Sequence, residues 1–557
     1  MKPDSPAAEF DIELFRDRRA DAPALRDIRL ALPAGGVIGV IGHNGAGKST
    51  LTQTLNRIVP TFRKGEWRGA VRLFGEDIAD RTVAELSATV GIVFQDFETQ
   101  LFSSSVLREA AFALESRGLD PAVIATRVRE WLTRMDLWDL REREPASLSG
   151  GQKQRLALAS VLAAETPILA LDEPTTDLDP ESAAAIVGIV RAFATELRTV
   201  LHVTHDLESL GHADLIVAMK DGRVHAVMTA EEMWTDPERV RACGASPPPL
   251  ADLFARLGLA ERPDSVESAC DVLATSGFRA TSTSVDRLPT TGDMMVRATG
   301  LTFGYRADQS AVRDVDLEIR AGELVALVGA NGCGKTTLVK LLAGILRPRA
   351  GQVRVGGREV ASLAAHERPG AVGLVFQNPD HQLFCATAAE EVAFGPRHQR
   401  LAPDEIARRV DEALAIAGLT DAGGRDPFAM TKGERKRLAL ASVLACRPRL
   451  LILDEPTTGL DAPEQERMMA TLARLVDAGH AVLVITHALA HAAAFATRII
   501  AMADGRIVAD GDPFGVLTDD AACRASRLVA PSIVRLAHRM GTRALTVDSL
   551  AARLERA

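Results

Sequence analysis

Gly42-His43-Asn44-Gly45-Ala46-Gly47-Lys48-Ser49 and Gly329-Ala330-Asn331-Gly332-Cys333-Gly334-Lys335-Thr336 both fit the pattern G-x-x-x-x-G-K-[ST]. Each follows a short apolar run, Val37 to Ile41 or Leu324 to Val328, and each opens a helical pattern, at Leu51 or Leu338. A strand that runs through a glycine-rich turn into a helix aims backbone N–H groups and the positive end of the helix dipole at one spot. That arrangement suits a phosphate. Gly42, Asn44, Gly45, Gly47 and Thr50 in the first loop, and Gly329, Asn331, Gly332, Gly334 and Thr337 in the second, are expected to wrap a nucleotide phosphate. Lys48 and Lys335 would neutralise its outer oxygens, and the hydroxyls of Ser49 and Thr336 would ligate Mg2+. A glycine-rich turn that merely contains a lysine is the bland alternative, and a second copy in matched context counts against it.

Two further runs end in adjacent carboxylates, Leu169-Ala170-Leu171-Asp172-Glu173 and Leu451-Ile452-Leu453-Asp454-Glu455. Neighbouring side chains on a strand point in different directions, so the two acids need not share one task. Asp172 or Asp454 suits the Mg2+ shell of a P-loop ATPase. Glu173 or Glu455 is then the candidate to polarise the attacking water as general base. Solvated acids at a strand end are common in isolation, but here they recur downstream of both P-loops.

The recurrence runs through the chain. Gln95 and Gln377, Asp172 and Asp454, and His205 and His487 all stand 282 residues apart, whereas Lys48 and Lys335 stand 287 apart. One domain has been duplicated and fused, with a small length change before the glutamine. The expected boundaries are 8–230 and 294–515 for the large repeats, with 231–293 as a helical appendage and linker and 516–557 as a second appendage. Pro247-Pro248-Pro249 and the Thr/Ser-rich stretch from Ala280 to Thr291 have linker texture. Leu250, Leu253, Phe254 and Leu257 fall at helical spacing, and Ile533, Leu536 and Met540 repeat the pattern near the C-terminus.

Composition narrows the function classes. With 47% hydrophobic and 25% charged residues, the 557-residue chain has the make-up of a globular protein with real cores. A net charge of −9 argues against coating nucleic acid, which needs Lys and Arg in excess. Six cysteines without close pairing suggest neither a zinc site nor a disulfide framework. No run of about 18 apolar residues is present, so any membrane-spanning part is expected from another chain. The stretch Met1 to Phe10 lacks the apolar core of a secretory signal.

Leu148-Ser149-Gly150-Gly151-Gln152 resembles the signature that separates ATP-binding-cassette proteins from other P-loop ATPases. Gln95 and Gln377, the aspartate turns at Asp179 and Asp461, and His205 and His487 complete that family's motif set in order. The resemblance covers both large repeats. It implies an α/β fold with two P-loop cassette domains in tandem, ATP with Mg2+ as the bound species, and Gln95 and Gln377 near the metal and the attacking water. It also implies that His205 and His487 contact the γ-phosphate. In this family two cassettes close head to tail, so Ser149, Gly150, Gly151 and Gln152 would complete the Lys335 site, and Thr431 and Gly433 the Lys48 site. Fusion makes that pairing intramolecular.

The second signature departs from the pattern, reading Met430-Thr431-Lys432-Gly433-Glu434. Lys432 stands where a glycine lets the backbone approach the γ-phosphate, so the Lys335 site is expected to be the faster. Tyr305, the only tyrosine, occupies the place where the family stacks adenine. Phe15 is its counterpart in the first repeat, with an ordinary core aromatic as the alternative.

Phe94-Gln95-Asp96-Phe97-Glu98-Thr99-Gln100-Leu101-Phe102 and Phe376-Gln377-Asn378-Pro379-Asp380-His381-Gln382-Leu383-Phe384 resemble the ATPase subunits of energy-coupling factor transporters. The second stretch continues to Glu390-Glu391-Val392-Ala393-Phe394-Gly395-Pro396, where the first reads Phe112-Ala113-Leu114. The resemblance implies a transmembrane scaffold subunit and a membrane-embedded substrate-binding subunit as partners, and uptake of a vitamin or metal ion. It places the chain on the cytoplasmic face of the cell membrane, with no nucleic acid partner. Gln100 to Phe112 and Gln382 to Phe394 would be unequal scaffold contacts. A fused sugar-importer ATPase is the nearest transport alternative. A soluble twin-cassette translation factor would call for a basic helical linker, and a chromosome ATPase for a coiled-coil insertion, neither of which is in the sequence.

Overall fold

The apolar runs become buried parallel strands, because a strand covered on both faces needs an unbroken hydrophobic sequence rather than alternation. Ile168–Asp172 and Leu324–Val328 are buried along their whole length. The computed structural model describes residues 5–18, 22–175, 178, 180–194, 198–263, 265–281, 292–306 and 310–556. The expected turn residue Asp179 and most of the Thr/Ser-rich linker, residues 282–291, lie outside these described residues.

Two compact units are present, the first running as far as Arg262 and the second starting at Pro263. In the first, a six-stranded sheet has the order Arg223–Met228, Leu215–Lys220, Gly36–Ile41, Thr199–Val203, Ile168–Asp172, Val90–Val93. All pairings are parallel except the edge hairpin. The strand Gly36–Ile41, which feeds the first P-loop, lies centrally between parallel neighbours from later in the chain. A ligand crevice opens at the carboxyl ends of such strands. Leu25–Leu32, Ala8–Asp17, Gly65–Leu73 and Glu76–Asp77 make a separate antiparallel sheet. Three helices, Val106–Ser116, Pro121–Arg134 and Gly150–Ala163, pack around Leu114, Trp131, Leu132 and Leu158.

The second unit repeats the plan. Its six-stranded sheet runs Val372–Val375, Leu450–Asp454, Ala481–Ile485, Leu324–Val328, Arg498–Ala503, Arg506–Gly511, and its antiparallel sheet Val312–Arg320, Met294–Phe303, Ala350–Val355, Arg358–Glu359. The helices are Ala388–His398, Pro403–Ile416 and Lys432–Leu444.

The stretch 231–293 is shared between the units. Pro249–Arg256 belongs with the first, while Val266–Thr275 packs against Ser532–Arg539 in the second. Phe278–Ala280 pairs antiparallel with Leu554–Arg556, so the residues ahead of the second cassette and the C-terminal tail form one small subdomain. Among the described residues no helix is long and apolar enough to cross a membrane.

Candidate functional site

The first glycine-rich loop leaves the strand Gly36–Ile41 and enters the helix Lys48–Thr54. Gly42, Gly45 and Gly47 have φ of 142°, 78° and 100°, which glycine adopts readily and residues with a Cβ do not. A Cβ on Gly42 would lie 2.1 Å from Met219 O, and one on Gly47 2.6 Å from Ala24 O, so both positions are closed to larger residues. Lys48 Nζ donates to Gly42 O at 2.8 Å and to His43 O at 3.0 Å, which holds the ammonium inside the loop. The second loop repeats this geometry: Gly329, Gly332 and Gly334 have φ of 145°, 80° and 108°, and Lys335 Nζ donates to Gly329 O at 2.7 Å and to Ala330 O at 3.0 Å. Thr50 and Thr337 are buried just behind the lysines. Arg63 donates to Thr50 Oγ1 at 3.1 Å, and the hydroxyls of Tyr305 and Thr337 lie 3.4 Å apart.

The paired carboxylates sit where the strands end. Burial pushes the Asp172 carboxyl up, and a hydrogen bond from the Ser49 side chain pulls it back. Hydroxyl and carboxylate therefore meet at one point. Burial also raises Asp454, opposed by Lys335, Lys340 and Lys436. Glu173 and Glu455 share an unusual backbone, with φ of 52° and 47°, the left-handed region that disfavours a branched or long side chain. Each is pinned by its own N–H, Glu173 to Val203 O and Glu455 to Ile485 O, both at 3.0 Å. Strain retained at two equivalent positions marks sites where the direction of the side chain matters.

Around Glu173, Gln95 Nε2 donates to Oε2 at 3.1 Å and His205 Nε2 lies 2.9 Å from Oε1. Around Glu455, Thr458 Oγ1 and His487 N donate to Oε2 at 3.2 and 3.4 Å, and His487 Nε2 lies 3.5 Å from Oε1. Glu455 Oε1 accepts no hydrogen bond among the described residues. Burial, reinforced by the Asp454 charge, pushes the Glu455 carboxyl up to about 7. A buried carboxyl near neutrality with a histidine beside it is suited to taking a proton from water. Gln377 is exposed on the loop after the strand Val372–Val375.

The signatures are helix N-termini. Ser149 caps Gly150–Ala163 in a capping box with Gln152, and Thr431 caps Lys432–Leu444 in the same way with Glu434. The changed second signature therefore keeps its local fold. Lys432 is exposed at its tip and Gly433 is buried, where a Cβ would crowd Glu464.

Tyr305 is 65% exposed, edge-on to Phe303 at 5.1 Å between ring centroids. Phe15 is 0% exposed. Its ring is enclosed in the core beside Trp67, so the adenine-stacking role expected of it is corrected to that of a core side chain.

Three features were not legible as functional in the sequence. Gln154 Nε2 donates to Pro174 O at 2.6 Å, and Lys436 Nζ, at the equivalent place, donates to Glu455 O at 2.9 Å and Pro456 O at 3.3 Å. Both tie the signature helix to the turn after the acidic strand end of their own cassette, and their matched place two residues beyond the signature is the signal that could have found them. Glu109 and Glu391 are buried, and each accepts two backbone N–H groups, from Phe102 and Ser103 (3.0 and 2.7 Å) and from Phe384 and Cys385 (both 2.8 Å). Gln100 and Gln382, which open the two stretches expected to meet a scaffold, accept from Phe94 N and Phe376 N at 2.9 and 3.2 Å and brace the same loops.

The order of these parts along two like-built units, P-loop, glutamine, signature, acidic strand end and histidine, is matched from outside the chain. A family model described as ABC transporter covers residues 25–176 and 312–458. The chain belongs to the ABC transporter family. Its tandem ATPase layout is shared by relatives that carry the name "Putative ABC transporter ATP-binding protein". One, from Caldanaerobacter subterraneus subsp. tengcongensis, is 37% identical over 97% of each chain. Another, from Methanosarcina acetivorans, is 33% identical over 98% of this chain and 92% of its own. A solved structure, cbiO1 of Clostridium perfringens, part of the ABC transporter complex cbiONQ, is 31% identical, with a TM-score of 0.39, over 44% of this chain and 99% of its own. ABC ATPases bind ATP, generally with Mg2+. The oxygen donors of the first cassette fit that ion, since the Ser49 hydroxyl meets the Asp172 carboxylate; Thr336 and Asp454 are the same residue types at the matching places of the second.

Proposed function

We propose that this ABC ATPase is the energy-coupling subunit of an importer of the energy-coupling factor type, at the cytoplasmic face of the membrane. A transmembrane scaffold and a membrane-embedded binding subunit for a vitamin or metal ion would complete it. The observation that carries this reading is an aromatic pair repeated on both cassettes. Phe102 with Phe112, and Phe384 with Phe394, stand edge to face at 4.7 Å, and all four rings are exposed. An exposed aromatic pair formed between a loop held by a buried carboxylate and the helix that follows is a preformed apolar contact, of the kind that receives a helix end from another protein. Its position directly after the glutamine would link that contact to the catalytic pocket. The two contacts are unequal, since Phe394 also packs on His398 at 4.2 Å and is followed by Gly395 and Pro396.

In this reading Lys48 and Lys335 hold the β- and γ-phosphates, and Glu173 and Glu455 orient and deprotonate the attacking water. His205 and His487 meet the γ-phosphate. Bound Mg2+ would draw charge from the phosphate oxygens. The first signature completes the Lys335 site and the second the Lys48 site, within one chain. Nucleotide-driven closure and reopening would then drive the scaffold.

Affinity purification of the tagged chain from bacterial membranes, with ATPase turnover measured with and without what it retains, tests this. A polytopic membrane protein that raises turnover, and loses the effect with Phe102→Ala and Phe384→Ala together, is expected. Recovery of ribosomes or DNA alone would overturn the transport reading and leave the ATPase standing.

A further inference from the structure

The two small appendages diverge in charge at one spot. Pro249–Arg256 in the first unit and Ser532–Arg539 in the second align with an offset of 283 residues, which matches Leu250 with Ile533, Leu253 with Leu536 and Gly258 with Gly541. In the first copy Asp252 is buried and gathers two arginines: Arg241 Nη2 lies 2.5 Å from Oδ1, and Arg256 donates through Nε at 3.0 Å and Nη2 at 3.2 Å. In the second copy Arg241 and Arg256 become Arg524 and Arg539, but the aspartate between them becomes Arg535. The acid that neutralised the first cluster is replaced by a third cation.

A second change adds to it. Gly244, left-handed at φ 77°, becomes Arg527, which keeps a left-handed φ of 53° that a residue with a Cβ adopts only against strain. Arg539 turns to Glu267, 2.5 Å away. Among the described residues Arg524, Arg527 and Arg535 form no ion pair.

All four arginines line one cleft of about 630 Å3, bounded by the helices Val266–Thr275, Pro513–Thr518, Asp520–Ser526 and Ser532–Arg539. Among the described residues Glu267 and Asp520 are the carboxylates that line it, which leaves two surplus positive charges among those residues in a chain whose net charge is −9. Leu517, Leu528 and Val529 supply an apolar wall. The volume falls within the range of small-molecule sites, roughly 300–1,000 Å3. Guanidinium forks match phosphate oxygens bidentately and hold a doubly charged group better than isolated ammonium groups do.

We propose that this cleft, in the C-terminal appendage and apart from both P-loops, binds a phosphate-bearing ligand whose organic part rests on the apolar wall. Amide hydrogen exchange of the full chain, with inorganic phosphate, glycerol phosphate, or vesicles of phosphatidylglycerol or phosphatidylcholine, tests it by location. Slower exchange across residues 517–540 is expected, distinct from any effect at 42–50 and 329–337, where the P-loops bind phosphate. Arg535→Asp restores the residue of the first appendage and can re-form its ion pairs, so it is expected to fold. Together with Arg527→Gly it should raise the half-saturating phosphate concentration by about 10-fold or more at 517–540 and leave the P-loop segments unchanged. Protection by phosphatidylglycerol vesicles but not by soluble phosphates assigns the same chemistry to a lipid headgroup. No protection by any probe, or equal protection in the variants, overturns the proposal.

Discussion

Lys436 Nζ donates a 2.9 Å hydrogen bond to the backbone carbonyl of Glu455, the residue proposed as general base of the second cassette, whose backbone is left-handed. The first cassette uses Gln154 on Pro174 instead. Lys436→Ala leaves buried carbonyls without this donor and should destabilise the fold by about 1–3 kcal/mol, with turnover falling in step. Lys436→Gln should recover most of both, as Gln154 does in the first cassette. Denaturant titration and ATPase assay of the two variants check this; equal damage from both would make the lysine charge, and not the bond, the working feature.

The raised carboxyl of Glu455 predicts a pH dependence. An acid displaced upward to about 7 stays protonated below that value and cannot accept a proton from water. On a Glu173→Gln background, turnover should therefore rise as pH goes from 6 to 8, with its midpoint near 7. Stability moves the other way: the protonated form favours the fold, an advantage lost as pH rises from the usual carboxyl value toward 7. Glu455→Gln should accordingly melt higher than the parent at pH 8 and close to it at pH 5.

Lys432 at the tip of the second signature implies unequal sites. In the proposed pairing the Lys335 site would take the intact first signature, so Glu455→Gln should lower turnover by roughly 100-fold or more, the range of a lost general base. Glu173→Gln should leave a large share of it. Single-turnover and steady-state assays of the two variants decide the matter, and equal losses would remove the asymmetry.

Tyr305 and Phe15 should part company under mutation. Tyr305→Ala removes an exposed ring and is expected to weaken nucleotide binding by about 2- to 10-fold with little change in melting temperature. Phe15→Ala opens a core cavity and should cost about 3–5 kcal/mol of stability. Fluorescent-nucleotide titration alongside thermal denaturation separates the two.

Glu391 accepts the N–H groups of Phe384 and Cys385. Glu391→Ala should destabilise by about 2–4 kcal/mol, since two amides lose their acceptor. Phe384→Ala, which leaves those bonds in place, should keep the melting temperature and lose only the response to a membrane partner.

Much of the fold was written locally. A glycine at a left-handed turn between an apolar strand and a helix is a short-range constraint, so both P-loops, the acidic strand ends and the duplication could be read before any packing was known. The signature caps are equally local, since Ser149 with Gln152 and Thr431 with Glu434 close within one turn. Tertiary structure decided what depends on distant partners. It enclosed Phe15 beside Trp67, brought Lys436 beneath Glu455, and paired Phe278–Ala280 with Leu554–Arg556 across the length of the second cassette. It also gathered Arg524, Arg527 and Arg535 around one cleft. Burial and charge neutralisation depend on which surfaces meet in three dimensions, and a residue's sequence neighbours do not determine that.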